Sequence, residues 1–160
     1  MNRFVSILAC CLALAGTRAV YGMEIAIIVN KDNPVNELSF RELTAIFELQ
    51  QQFWKGGDKV RVIIQKSGRP EKNVMLKSVY HRTDESLNKY WLIRMFKAEI
   101  ADLPEIEASN EKVKQEVSKQ VDAIGFIDAS KVDDTVKVLK IDGLLPGAEK
   151  YRVKSEDERP

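Results

Sequence analysis

The alternation of apolar and polar positions divides the chain into short strands and amphipathic helices. Glu24–Asn30 is a β-branched apolar run closed by a polar loop, which predicts a buried strand. Asn33-Pro34 marks a turn in the loop that follows. Ser39 and Glu42 have the spacing of a capping box, and Leu38 and Leu43 that of a hydrophobic staple. Leu43, Ile46 and Phe47 then give the apolar face of a first helix that fades near Gln50–Gln52. Val60–Gln65 predicts a second strand, followed by the tight loop Lys66-Ser67-Gly68-Arg69-Pro70. A second helix is expected over Glu71–Arg82, with Met75, Leu76, Val79 and Tyr80 on one side. Thr83-Asp84 can cap a third helix over 84–98, with Leu87, Trp91, Leu92, Met95 and Phe96 as a broad buried stripe. Residues 99–108 are expected to loop around Pro104. A fourth helix, capped by Ser109 or Asn110, carries Val113, Val117 and Val121 as its seam. Ala123–Asp128 and Thr135–Ile141 complete the pattern as third and fourth strands, giving the order β-α-β-α-α-α-β-β. Helices interleaved with short apolar strands predict an α/β sandwich rather than a bundle.

The first 22 residues have a different character. Met1-Asn2-Arg3 is a short basic start, Phe4–Ala15 is apolar, and small residues follow at Gly16, Ala19 and Gly22. This is the pattern of a secretory signal peptide, with cleavage after Ala19 or Gly22. The expected organisation is therefore a signal at 1–22, one domain at 23–146 and a charged, loose tail at 147–160.

Composition narrows the chemistry. The chain has 160 residues, 44% hydrophobic and 31% charged, which suits one globular domain and excludes disorder and collagen. Its two cysteines, Cys10 and Cys11, both lie in the leader. The remaining chain holds no disulfide framework, thiol nucleophile or cysteine-ligated zinc. His81 is the single histidine, so multi-histidine metal sites are excluded too. Loss of the leader removes Arg3 and Arg18 but no acid, taking 25 basic and 24 acidic residues to 23 and 24, a net charge of −1. That balance does not favour nucleic acid as a partner.

The junction Lys66-Ser67-Gly68-Arg69-Pro70 is the most informative stretch. Backbone N–H groups at a helix start are unpaired and attract anions. Ser67 offers a hydroxyl, Gly68 permits close backbone approach, Arg69 offers a bidentate fork and Lys66 adds charge. The same Ser, Gly and Pro also suit a plain strand-to-helix turn. No G-x-x-x-x-G-K-[ST] loop is present. His81 fits the last turn of a helix, where cations are welcome. Phe53-Trp54 and Tyr90-Trp91 are stacking candidates, though the second pair also fits core periodicity. Asp128, Asp133 and Asp134 match no calcium loop and read as a solvated turn.

Taken in order, Leu38-Ser39, Glu42-Leu43, Ile46-Phe47, Trp54, Val60–Ile64, Ser67-Gly68, Tyr90-Trp91 and Ala123–Ile127 resemble the phosphate-binding proteins of ABC phosphate transporters. The match is nearer to short, single-lobe members of the periplasmic binding protein superfamily. It runs from residue 24 to about residue 140. The resemblance implies a single periplasmic-binding-protein-like α/β lobe, a small mixed sheet flanked by helices, and no catalysis, metal or cofactor. It places Ser67 and Gly68 in the anion loop, with Arg69 where the family often has Thr or Ser. The implied ligand is inorganic phosphate or a related oxyanion, and the implied role is solute binding in uptake or sensing in the periplasm. A membrane transporter or sensor is the expected partner, and a homodimer is one way to complete a one-sided site. The other reading is an interaction module that keeps the fold without the ligand and docks on an envelope transporter or sensor.

Overall fold

The computed structural model describes residues 22–155. The signal-like segment therefore lies outside the described residues except for Gly22. Five strands form one mixed sheet: β1 (Ile25–Val29), β3 (Arg61–Gln65), β4 (Glu105–Glu107), β5 (Ala123–Asp128) and β6 (Lys137–Val138), in the order β4-β3-β5-β1-β6. β3 runs parallel to β4 and β5, whereas β1 is antiparallel to both β5 and β6. A separate parallel pair joins β2 (Glu37–Leu38) to β7 (Lys140–Ile141). The helices are α1 (Phe40–Phe47), α2 (Pro70–Met75), α3 (Asp84–Phe96) and α4 (Asn110–Lys119). α2 continues into a π-helical turn, Leu76–Tyr80, and stops at His81, whose φ of 48° is left-handed.

The period of two along the strands builds a three-layer core. Ile25, Ile27 and Val29, with Val62, Ile64, Ile124 and Phe126, face the larger cluster that includes side chains of α1, α2 and α3. Ala26, Ile28, Ile63, Ala123 and Ile127 face the smaller cluster with Val113 and Val117 of α4. Gly125 is required at the centre of that second face. A Cβ there would lie 2.8 Å from Val113 Cγ1 and 3.3 Å from the Ile63 carbonyl, so its absence lets α4 sit close on the sheet.

The capping box at Ser39 forms as the spacing predicts. The Ser39 hydroxyl accepts from the Glu42 N–H, and the Glu42 carboxylate accepts from the Ser39 N–H. The Lys55 ammonium beside Glu42, together with the Ser39 hydrogen bonds, lowers the carboxyl pKa from 4.5 to about 2. A folded-state pKa below the unfolded one contributes stability that is present above pH 4.5 and is lost as pH falls toward 2. Ser39→Ala should cost about 1 kcal/mol at neutral pH. It should also flatten the acid limb of stability between pH 4.5 and 2, measured by urea melts across that range. An unchanged acid limb would remove Glu42 from the capping interaction.

Several expectations are corrected. The broad stripe on α3 is narrow: Leu87 and Trp91 are buried, but Leu92 is 45% and Phe96 89% exposed. Residues 87, 91 and 95 form one line down the helix, and 92 and 96 lie about 100° around it, beyond the core. Val121 is likewise exposed, because α4 ends at Lys119. Residues 99–108 are not all loop, since β4 adds an edge to the sheet. The expected fourth strand is split: Lys137–Val138 pairs with β1, while Lys140–Ile141 leaves to pair with β2. The tail expected to be loose from residue 147 instead docks through Ser155. Tyr151 and Val153 are buried in the main core, and the Ile25 N–H donates to the Val153 carbonyl at 2.9 Å. No helix among the described residues is long and apolar enough to cross a membrane.

Candidate functional site

The carboxyl ends of the three parallel strands β4, β3 and β5 converge on one edge of the sheet. In open α/β sheets this is where ligand sites are built. The Lys66–Arg69 loop leaves β3 there, Asn110 follows β4, and Asp128 ends β5. The Arg69 N–H reaches the Lys66 carbonyl at 3.4 Å, closing a turn in which Gly68 has a φ of +81°. That conformation suits glycine in the third position of the turn.

Lys66, Ser67 and Gly68 are exposed and Arg69 is half-buried. The N–H groups of Ser67 and Gly68 make no hydrogen bond among the described residues. All four predicted residues thus share one turn, with two free amide donors and two cationic side chains.

Beneath the turn lies a ring of polar side chains. Arg69 Nε donates to Gln65 Oε1 at 3.2 Å, and Gln65 Nε2 donates to Asn110 Oδ1 at 2.8 Å. Asn110 Nδ2 donates to Glu71 Oε1 at 2.7 Å, and Arg69 Nη2 closes the ring on that same oxygen at 3.0 Å. Asn110 Oδ1 also accepts from the Asp128 N–H at 3.1 Å, tying β5 to the ring. Gln65, Glu71 and Asn110 are buried, and Glu71 Oε2 has no partner among the described residues. Alongside, Lys72 is 2% exposed and ion-pairs with Asp84 at 2.7 Å. Burial raises the Asp84 pKa, but hydrogen bonds from Lys72 and Ser67 outweigh it and hold the carboxyl below its usual range.

Gln65, Glu71, Lys72, Asp84 and Asn110 were not singled out as site residues by the sequence reading. Asp84 and Asn110 appear there only as helix-cap candidates. A Glu-Lys pair in the first turn of a helix reads as solvated surface, and nothing local reveals that it faces Asn110 across 39 residues. The other candidates lie elsewhere. His81 is exposed at the end of the π-helical turn. Trp54 is buried and donates to the Asp122 carbonyl at 3.0 Å, and Phe53 is exposed. Trp91 belongs to the core, and the half-buried Tyr90 packs against it. Asp128 caps a short 3-10 turn at Ala129–Lys131, and Asp133 is held well below the usual carboxylate range by Lys114 and Thr135. No group of three metal-ligating side chains occurs among the described residues. Two clefts, of about 320 Å³ beside Arg61 and Pro104 and about 560 Å³ beside Trp54 and Val121, open at the other end of β3, near its first residue, and a third of about 480 Å³ lies beside Glu24, Asp128 and Ser130.

No protein-family model and no curated protein sequence matches the chain. Solved structures do. A Clostridium perfringens protein assigned as a phosphate ABC transporter substrate-binding protein, with phosphate bound, is 26% identical with a TM-score of 0.63, covering 78% of this chain and 47% of that one. An ABC-type phosphate transport receptor from Vibrio cholerae is 22% identical with a TM-score of 0.65, over 79% of this chain and 49% of that one. PstS from Borrelia burgdorferi shares the fold at 14% identity and a TM-score of 0.63, again over about half its length (50%). The chain spans about half the length of these structures. It is a single lobe of the periplasmic-binding-protein-like α/β fold, similar to the phosphate-binding proteins of ABC transporters.

Proposed function

We propose that this lobe binds inorganic phosphate or a closely related oxyanion at Lys66, Ser67, Gly68 and Arg69. It would act in the periplasm, after export on residues 1–22, as a solute-binding component in uptake or sensing. One observation carries the reading: the unbonded Ser67 and Gly68 amides share one turn with Arg69 at the carboxyl end of three parallel strands. Amide donors bind oxyanions without adding charge, and guanidinium adds a planar fork that fits two oxygens. The likeness to a structure solved with phosphate supports the choice of ligand.

The turn is open on one side. A two-lobed binder encloses its ligand and strips its water, whereas one lobe offers a single face and binds more weakly. A membrane transporter, a sensor or a second copy would complete the enclosure.

A second reading has its own observation. Leu92, Ile93 and Phe96 form an exposed apolar patch on α3, and Arg69 is already partnered within the chain. This favours a lobe that docks on an envelope partner without a ligand.

Titration with phosphate and sulfate, followed by melting temperature and heat of binding, separates the two. Saturating phosphate at 100 times Kd should stabilise the fold by about 2.7 kcal/mol. The double variant Ser67→Ala/Arg69→Ala should lose that stabilisation while melting near the wild-type temperature. Stabilisation retained in the double variant would sink the site, and no stabilisation by any anion would leave the docking reading.

A further inference from the structure

We propose that Glu71 is a resident counter-anion that sets the charge preference of the Lys66–Arg69 turn, holding it toward weak binding of doubly charged oxyanions. The inference rests on the oxyanion reading above and deepens it.

Two facts about Glu71 oppose each other. Its Oε1 positions the guanidinium, accepting from Arg69 Nη2 at 3.0 Å and from Asn110 Nδ2 at 2.7 Å. Its Oε2 is buried with no partner, so the carboxylate carries charge that no second donor satisfies. Gln65 holds Arg69 Nε from the other side, and Arg69 Nη1 is left without a partner among the described residues. An oxyanion held on Nη1 would sit about one guanidinium width from Glu71 Oε1, which holds Nη2. In that half-buried setting, like charges repel far more than in water. The one cation that compensates Glu71 is the Arg69 guanidinium itself, which an oxyanion would have to share with it. Lys72, the nearest buried cation in sequence, is committed to Asp84, and Lys66 is exposed.

Positioning needs only an oxygen acceptor at Oε1, which an amide supplies equally well. The negative charge is therefore separable from the scaffold role. Repulsion from a fixed charge scales with the charge of the ligand, so Glu71 should penalise a dianion about twice as strongly, in logarithm of affinity, as a monoanion. A merely structural role has no such dependence.

The test is isothermal titration of wild-type and Glu71→Gln protein with phosphate at pH 8, where it is chiefly dianionic, and with methanesulfonate, a monoanion. E71Q should bind phosphate about tenfold more tightly and methanesulfonate about threefold more tightly, at low salt. The gain should shrink as ionic strength rises. Equal or weaker phosphate binding by folded E71Q, with wild type binding normally, would overturn the role of Glu71 and leave the oxyanion site standing. If neither protein binds either anion while both melt cooperatively, the oxyanion reading fails and takes this inference with it. Should E71Q melt well below wild type, Glu71→Met, neutral and of similar length, is read for the same dianion-to-monoanion ratio. A ratio unchanged from wild type in that variant also overturns the proposal.

Discussion

Asp84→Ala is expected to destabilise the protein by about 3–5 kcal/mol, whereas Lys72→Met should cost less than about 1 kcal/mol. The two residues form one ion pair at 2.7 Å, but their surroundings differ. Lys72 has 2% of its side chain exposed and Asp84 has 27%. Deprived of Lys72, Asp84, with a side chain that is 27% exposed, turns to water. Deprived of Asp84, the ammonium is left buried without its counter-charge, and desolvation of a charge is expensive. The double variant should therefore resemble Lys72→Met alone, giving a coupling energy of about 2 kcal/mol or more in a urea double-mutant cycle. Additive losses would show that the pair does not act as a unit. The pH dependence has a definite sign. Asp84 has a lowered folded-state pKa, so its contribution is present above its usual value of 3.8 and disappears as pH falls below it. Lys72→Met should be less sensitive to acid than wild type in that window.

Tyr151→Ala should cost about 3–5 kcal/mol, as for other large aromatic side chains removed from a core. Tyr151 is 1% exposed and donates its hydroxyl to the Ile25 carbonyl at 2.7 Å. Burial pushes the phenol pKa up, so the group stays a neutral donor at any working pH. Against a total stability of about 5–15 kcal/mol, that loss lowers the melting temperature on the order of 10–20 °C. Tyr151→Phe keeps the ring and loses only the hydrogen bond, at about 1 kcal/mol. A chain cut after Pro146 loses Val153 as well and should not show a cooperative melt. Wild-type stability in that cut chain would mean that residues 147–155 are not part of the fold.

The elements that were legible in the sequence are those whose signal is local. The Ser39–Glu42 box, the β-branched runs at Ile25–Val29 and Arg61–Gln65, and the Leu43-Ile46-Phe47 face each carry a periodicity or cap that reads within a few residues. The turn at Lys66–Arg69 was legible for the same reason. What was hidden depends on distant pairing. β2 and β7 are two residues each, too short to show a period. β4 reads Glu-Ile-Glu and becomes a strand only because Ile63–Gln65 offers it a parallel edge. In 147–155, nine residues rich in charge conceal Tyr151 and Val153, whose spacing of two is a strand signal too brief to register. In the site, Asn110 and Glu71 could not be joined without knowing that β4 and β3 lie side by side. On α3 the five apolar residues of the stripe do not share one face, and the core reaches only one line of them.

The placement of β1 has a consequence for how the chain acquires its fold. Its sheet partners are β5 and β6, and its edge is completed by Val153, so each of them lies about 100 residues or more further along. A chain emerging from the ribosome therefore carries Ile25–Val29 with nothing to pair with until its last quarter is made. Closing such long loops comes before any reward from contact, which makes assembly late and slow. β1 is the first of the described elements to be synthesised and among the last to be satisfied, so the chain stays open for the length of its own synthesis and folds as a whole once its C-terminal segment arrives.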